Sequence, residues 1–138
     1  MTQEDKDLLI KDLSSRLPYG VVVEHCSGIR GTLHDLFVHW CYDENDTMHN
    51  REAFTSTFFG DDDCDISKFK PYLFPLSSMT EEQKEEYCRL QQKVIYNSKG
   101  LINSDVMEYV NWCYKNHLDI NNLIPPGLAK DATGLNIY

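Results

Sequence analysis

The stretch KFKPYLFPLSSMTEEQKEEY, residues 68–87, decides how the rest of the chain is read. It gathers Phe69, Tyr72, Leu73, Phe74 and Leu76 around Pro71 and Pro75, then turns into an acidic, helix-like run. Proline fixes φ and lacks an amide donor, so residues 70–76 are expected to be extended but unable to serve as a central strand. Thr80 with Gln83, or Ser78 with Glu81, makes a capping box for the helix that follows, and Glu81 and Glu82 suit its positive end. Tyr87, Leu90 and Val94 then recur at helical spacing as its buried face. The stretch therefore reads as an extended apolar bridge between a sheet half (about residues 1–70) and a helical half (about 77–138) of one domain, its rings filling the seam. The functional alternative is a partner surface of Tyr72, Phe74, Glu81, Glu82, Glu85 and Glu86.

N-terminal to the bridge, TQEDKDLLIKDLSSRL spaces Leu9, Leu13 and Leu17 four apart, with acids in the first turn, and predicts an amphipathic helix ending before Pro18. LPYG punctuates the chain ahead of Val21-Val22-Val23. A strand over residues 19–26, the turn SGIRG and a longer strand over 32–42 predict a hairpin. Strict alternation places Leu36, Val38, Trp40 and Tyr42 on one face, the better core candidate, and Leu33, Asp35, Phe37, His39 and Cys41 on the other. DENDTMHNRE reads as a polar connection, AFTSTFF as a third strand, GDDD as a turn and CDISKF as a short fourth strand.

C-terminal to the bridge, residues 97–100 end the first helix. Asn103 or Ser104 caps a second, with Val106, Tyr109, Val110 and Cys113 on one side and Trp112 beside them. The expected class is α+β: an N-terminal helix, a small curled antiparallel sheet of about four strands that could close as an SH3-like barrel, and two C-terminal helices.

With 138 residues, 41% of them hydrophobic, the chain can bury a core without disulfides or metal. No apolar run approaches the roughly 20 residues of a membrane span, and the acidic opening lacks the basic-then-apolar pattern of a secretory signal. Five cysteines with no Cys-x-x-Cys pair suit a reducing compartment, so a cytoplasmic location is expected. A formal charge of −9 with no basic stripe opposes direct binding to nucleic acid.

LPYG at residues 17–20, KPYLFPLSSMTEE at 70–82 and LIPPGLA at 123–129 together resemble a family of short Bacteroidales proteins, often found in phage-like or mobile regions. The resemblance spans most of the chain, residues 21–69 being the part associated with variation. It implies a bacterial or phage accessory protein and supplies no catalytic residues.

Reactive constellations are few. His25, Cys26, His34, His39, Cys41 and His49 fall in the sheet half, and imidazole with thiolate is zinc chemistry, but no pair shows a zinc-site spacing. Asp61, Asp62, Asp63 and Asp65 lack the glycine and glutamate of a calcium loop. Asp35, Asp43 and Glu44 carry no constraint on separation or burial, and neither does a cysteine paired with His39 or His117. No catalytic, cofactor or metal residue is assigned. The expected function is a non-enzymatic module that binds another protein. The alternatives are an acidic mimic of nucleic-acid phosphate directed at a DNA-binding protein, and a metal protein or enzyme using the His/Cys set.

Overall fold

A computed structural model describes residues 1–42, 45, 48–56, 64–96 and 103–138; for 37–42, 48–56, 64 and 103 the description is of the backbone alone. Helix α1 spans Gln3–Arg16. Its start is fixed by a reciprocal box: Asp5 N–H donates to Thr2 Oγ1 at 3.1 Å and Thr2 N–H to the Asp5 carboxylate at 2.8 Å. It gives way before Pro18 to a 3-10 turn over Leu17–Tyr19, which Gly20 closes at φ 67°.

Strands β1 (Val22–His25) and β2 (Arg30–Tyr42) form the expected antiparallel hairpin, whose turn needs Gly28 at φ 87°. Strand β3 (Met48–Ser56) pairs antiparallel with β2, and β4 (Cys64–Asp65) pairs with β3. Residues 48–52, expected in a polar connection, are thus part of β3. The anticipated GDDD turn lies outside the described residues, as do the side chains of Val38, Trp40 and Tyr42 on the expected core face.

The alternation expected for β2 does not hold at its start. A register shift between Leu33 and Asp35 inserts one residue, so Leu33, assigned to the opposite face from Leu36, is buried, and Leu36 packs on the same core.

Strand β5 (Phe69–Leu73) overturns the expectation for the proline segment. It lies between β1, antiparallel, and β6 (Lys130–Asp131), parallel, in a mixed sheet of order β4-β3-β2-β1-β5-β6. The ladder shows how Pro71 is tolerated. Cys26 N–H donates to the Lys68 carbonyl, which makes Glu24 opposite Lys70 a hydrogen-bonded pair and Val23 opposite Pro71 a non-bonded one. The amide that Pro71 lacks would point away from β1, toward the side where β6 begins only opposite Tyr72. The segment continues as a single bridge, Phe74 N–H donating to the His117 carbonyl and Asp119 N–H to the Phe74 carbonyl. Order β4 to β6 leaves two ends with no pairing between them among the described residues, so the sheet is open rather than closed as a barrel.

Helices α2 (Glu81–Tyr96) and α3 (Asn103–Lys115) pack on each other, completing the α+β layout of one helix, a sheet and two later helices.

Phe69 and Leu73 of the bridge do not pack toward these two helices, whereas Phe74 lies beside Thr80 and Gln83 at the start of α2. Phe69 and Leu73 are fully buried in a core with Leu9 and Leu13 of α1, Val21, Val23, Leu33 and Ile66, and Leu123 and Leu128 of the C-terminal segment. Among the described residues this cluster includes none from α2 or α3. Burying each such side chain stabilises the fold by about 1.5–3 kcal/mol before entropy is counted.

Candidate functional site

Helix α2 presents two unlike faces. Thr80 and Gln83 make the expected box, Gln83 N–H donating to Thr80 Oγ1 at 3.2 Å and Thr80 N–H to Gln83 Oε1 at 3.0 Å. Leu90 is buried and Tyr87 and Val94 are half-buried. The Tyr109 hydroxyl donates to the Tyr87 hydroxyl at 2.9 Å, and the Tyr87 ring meets those of Tyr109 and Trp112 at 5.5 and 6.4 Å. Burial first, then the bond to Tyr87, pushes the Tyr109 hydroxyl well above the usual tyrosine range.

On the opposite side Glu81, Glu85, Cys88, Gln92, Ile95 and Tyr96 form one exposed stripe, since steps of three and four residues stay on one helical face. It is acidic at the start of the helix and apolar at its end, where Ile95 is 65% and Tyr96 80% exposed. Isolated exposed apolar residues are ordinary, but two neighbours this open at the end of an acidic row make a composite surface.

The six residues expected to form a partner surface separate. Glu81, Glu82 and Glu85 are exposed on α2. Glu86 is half-buried and held by Arg89 at 2.5 Å, which lowers its pKa, and Glu81 is paired with Lys84 at 2.7 Å. Phe74 is half-buried and, with Ser78, Thr80, Gln83 and Leu118, lines a cavity of about 240 Å³ at the base of α2. Tyr72 does not belong to the surface: it is 2% exposed, because Arg30 and Lys130 lie over its ring at 4.9 and 5.8 Å.

Two polar clusters escaped the sequence reading. In the first, the Glu24 carboxylate accepts hydrogen bonds from Lys130, the Tyr72 hydroxyl and Arg30. Lys130 above all, then Tyr72, with Arg30 adding to them, brings its pKa down to about 2. In the second, Arg16 and Asp12 form a fully buried pair one helical turn apart, with Nε to Oδ2 at 2.6 Å. Arg16 also donates to the Leu118 carbonyl at 2.8 Å and lies 4.7 Å above the Tyr114 ring, while Asn121 donates to Asp12. Beside it the His117 ring stacks on Tyr138 at 3.7 Å, and burial, reinforced by Arg16, lowers its pKa to about 4. Neither cluster has a periodic signature, because its members come from segments more than a hundred residues apart in sequence.

Of the His/Cys set, His34 is exposed, and Cys26 lies 3.6 Å from Nε2 of its neighbour His25. The side chains of His39, Cys41 and His49 lie outside the described residues, as do Asp43, Glu44 and Asp61–63. Among the described residues no three His, Cys, Asp or Glu side chains are grouped to hold a metal ion. Burial raises the Cys113 thiol to about 11. Among the described residues no helix is long and apolar enough to cross a membrane. Comparison of the chain with protein-family models, curated proteins and solved structures returned no match.

Proposed function

We propose that the protein is a non-enzymatic binding module whose partner is another protein, docked along the outward face of α2. The observation carrying this reading is the stripe from Glu81 and Glu85 through Cys88 and Gln92 to Ile95 and Tyr96, with Glu82 beside it. It fits a partner that sets basic side chains against the start of the helix and an apolar groove against its end. Charge complementarity there supplies steering and register, and the two apolar side chains supply the area removed from water. A cytoplasmic setting and an accessory role in a bacterium or its phage belong to the same proposal, supported by the cysteine pattern and by the sequence resemblance.

The reading as an acidic phosphate mimic draws on the same acids but has weaker support, since Lys84 and Arg89 sit within the row and pair with Glu81 and Glu86. An enzyme has little support from the described titratable groups: Glu24 is locked by its three donors, and His117 and Cys113 are buried.

The test is quantitative capture from bacterial lysate with wild type, with the charge reversal E81K/E82K/E85K, with the apolar variant I95S/Y96S, and with K11E as a control on α1. A partner of this face is retained by wild type and K11E, lost by both face variants, and weakened by salt in proportion to the acidic contribution. If no protein discriminates wild type from the face variants, the proposal fails.

A further inference from the structure

A second site lies on the sheet, lined by none of the residues of the α2 stripe. Where β1 ends against β5 and β6, Glu24, His25, Cys26, Lys68, Lys70 and Lys130 surround a cavity of about 230 Å³. In a chain of formal charge −9, three lysines line this one cavity, and Glu24 is the one carboxylate residue beside them among the described residues. That carboxylate is already engaged, since Glu24 accepts from Lys130, Tyr72 and Arg30. Lys68 and Lys70 take part in no ion pair among the described residues. Their backbones are fixed by the sheet: Lys70 stands opposite Glu24 in the ladder, and the Lys68 carbonyl accepts the Cys26 amide at 2.8 Å. Two lysines without an ion-pair partner among the described residues, held beside one concavity, attract an anion, and the low-dielectric wall concentrates that attraction.

The donor type and the volume narrow the ligand. The arginine at this end, Arg30, is committed to Glu24, so the cavity offers compact ammonium charges, which suit a small anion carrying about two negative charges, as a phosphomonoester does near pH 7. Lysine is the usual point-charge partner of phosphate. Typical pockets for drug-sized ligands measure about 300–1,000 Å³, so this one suits a smaller molecule. We propose that this cavity binds a small phosphate compound, inorganic phosphate or a short phosphomonoester, between Lys68 and Lys70. The site is independent of the α2 face, and its ligand is neither a nucleotide nor a polymer.

Cys26, exposed at the wall of the cavity, reports on its occupancy, and Cys88, exposed on the α2 stripe, provides an internal control. The experiment follows alkylation of the intact protein by neutral iodoacetamide, resolved by peptide mass spectrometry, at constant ionic strength. Inorganic phosphate or glycerol phosphate should slow Cys26 alkylation several-fold and leave Cys88 unchanged. K68Q/K70Q, whose fold is checked by circular dichroism, should abolish the protection.

Absence of protection in wild type, equal slowing of both thiols, or full protection surviving in a folded K68Q/K70Q protein would each overturn the proposal. Protection by succinate as strong as by phosphate would overturn the phosphate assignment, and protection by AMP without protection by phosphate would overturn the size argument. Because the wild-type measurement stands alone, misfolding of the double variant leaves the proposal open to refutation.

Discussion

The hydroxyl of Tyr138 donates to the carbonyl oxygen of Tyr72 at 2.6 Å, and the Val22 amide donates to that same hydroxyl at 3.2 Å. It occupies the place where the β1–β5 ladder would otherwise continue beyond Val23 opposite Pro71. Burial of this hydroxyl raises its pKa to about 12 although the residue as a whole is 43% exposed.

Tyr138→Phe therefore leaves a strand amide and a carbonyl without their partner while preserving the stack on His117. A loss of about 1–3 kcal/mol is expected in urea denaturation. Hydrogen exchange at the Val22 amide should accelerate ahead of the rest of β1, and unchanged exchange there would show that the hydroxyl does not hold the strand.

The buried Asp12–Arg16 pair predicts strong non-additivity. Arg16→Met strands a carboxylate in the interior and should destabilise by about 3–5 kcal/mol, whereas Asp12→Leu with Arg16→Met should recover most of that loss. A double-mutant cycle by chemical denaturation checks this. Simple additivity of the two single changes would contradict a desolvated, mutually dependent pair.

Acid should destabilise the fold in two separable windows. The folded-state pKa of His117, about 4, lies below its ordinary 6.5, so between these values the unfolded chain binds the proton and stability falls as pH falls. The folded-state pKa of Glu24, about 2 against an ordinary 4.5, gives stability that is present above 4.5 and is lost as pH falls toward 2. His117→Asn tolerates the positive φ of 54° at this position and removes the first window only. Urea midpoints measured from pH 7.5 to 3 should show the upper slope vanish in that variant, and an unaltered slope would place its origin elsewhere.

Thr80→Ala should cost about 1 kcal/mol by removing the oxygen that caps the Gln83 amide, with Thr80→Ser restoring it. Thermal melts followed at 222 nm read the difference.

Local features were legible in the sequence because local chemistry determines them. The Leu9/Leu13 spacing, the stop before Pro18, the Gly28 turn and the Thr80–Gln83 box each need only a few neighbouring residues. The strand at Pro71 was misread because proline's cost depends on which neighbour its missing amide would face, and that depends on a ladder partner more than forty residues away. Likewise Leu33 and Leu36 share the core only through a one-residue register shift that alternation cannot anticipate. Glu81, Glu82 and Glu85 were recognisable as surface because glutamates are almost never fully buried unless paired. The lysine cavity was not, because Lys130 reaches Lys68 and Lys70 only through the parallel pairing of β6 with β5.

That parallel pairing constrains how the molecule is made. During synthesis β1, β2 and β5 can zip together while the C-terminal segment is still inside the ribosome, but the outer side of β5 keeps the Leu73 and Phe74 carbonyls waiting for Ala132 and Asp119. Until those residues leave the exit tunnel the nascent sheet displays an unfinished edge, the kind of surface that other strands or chaperones capture.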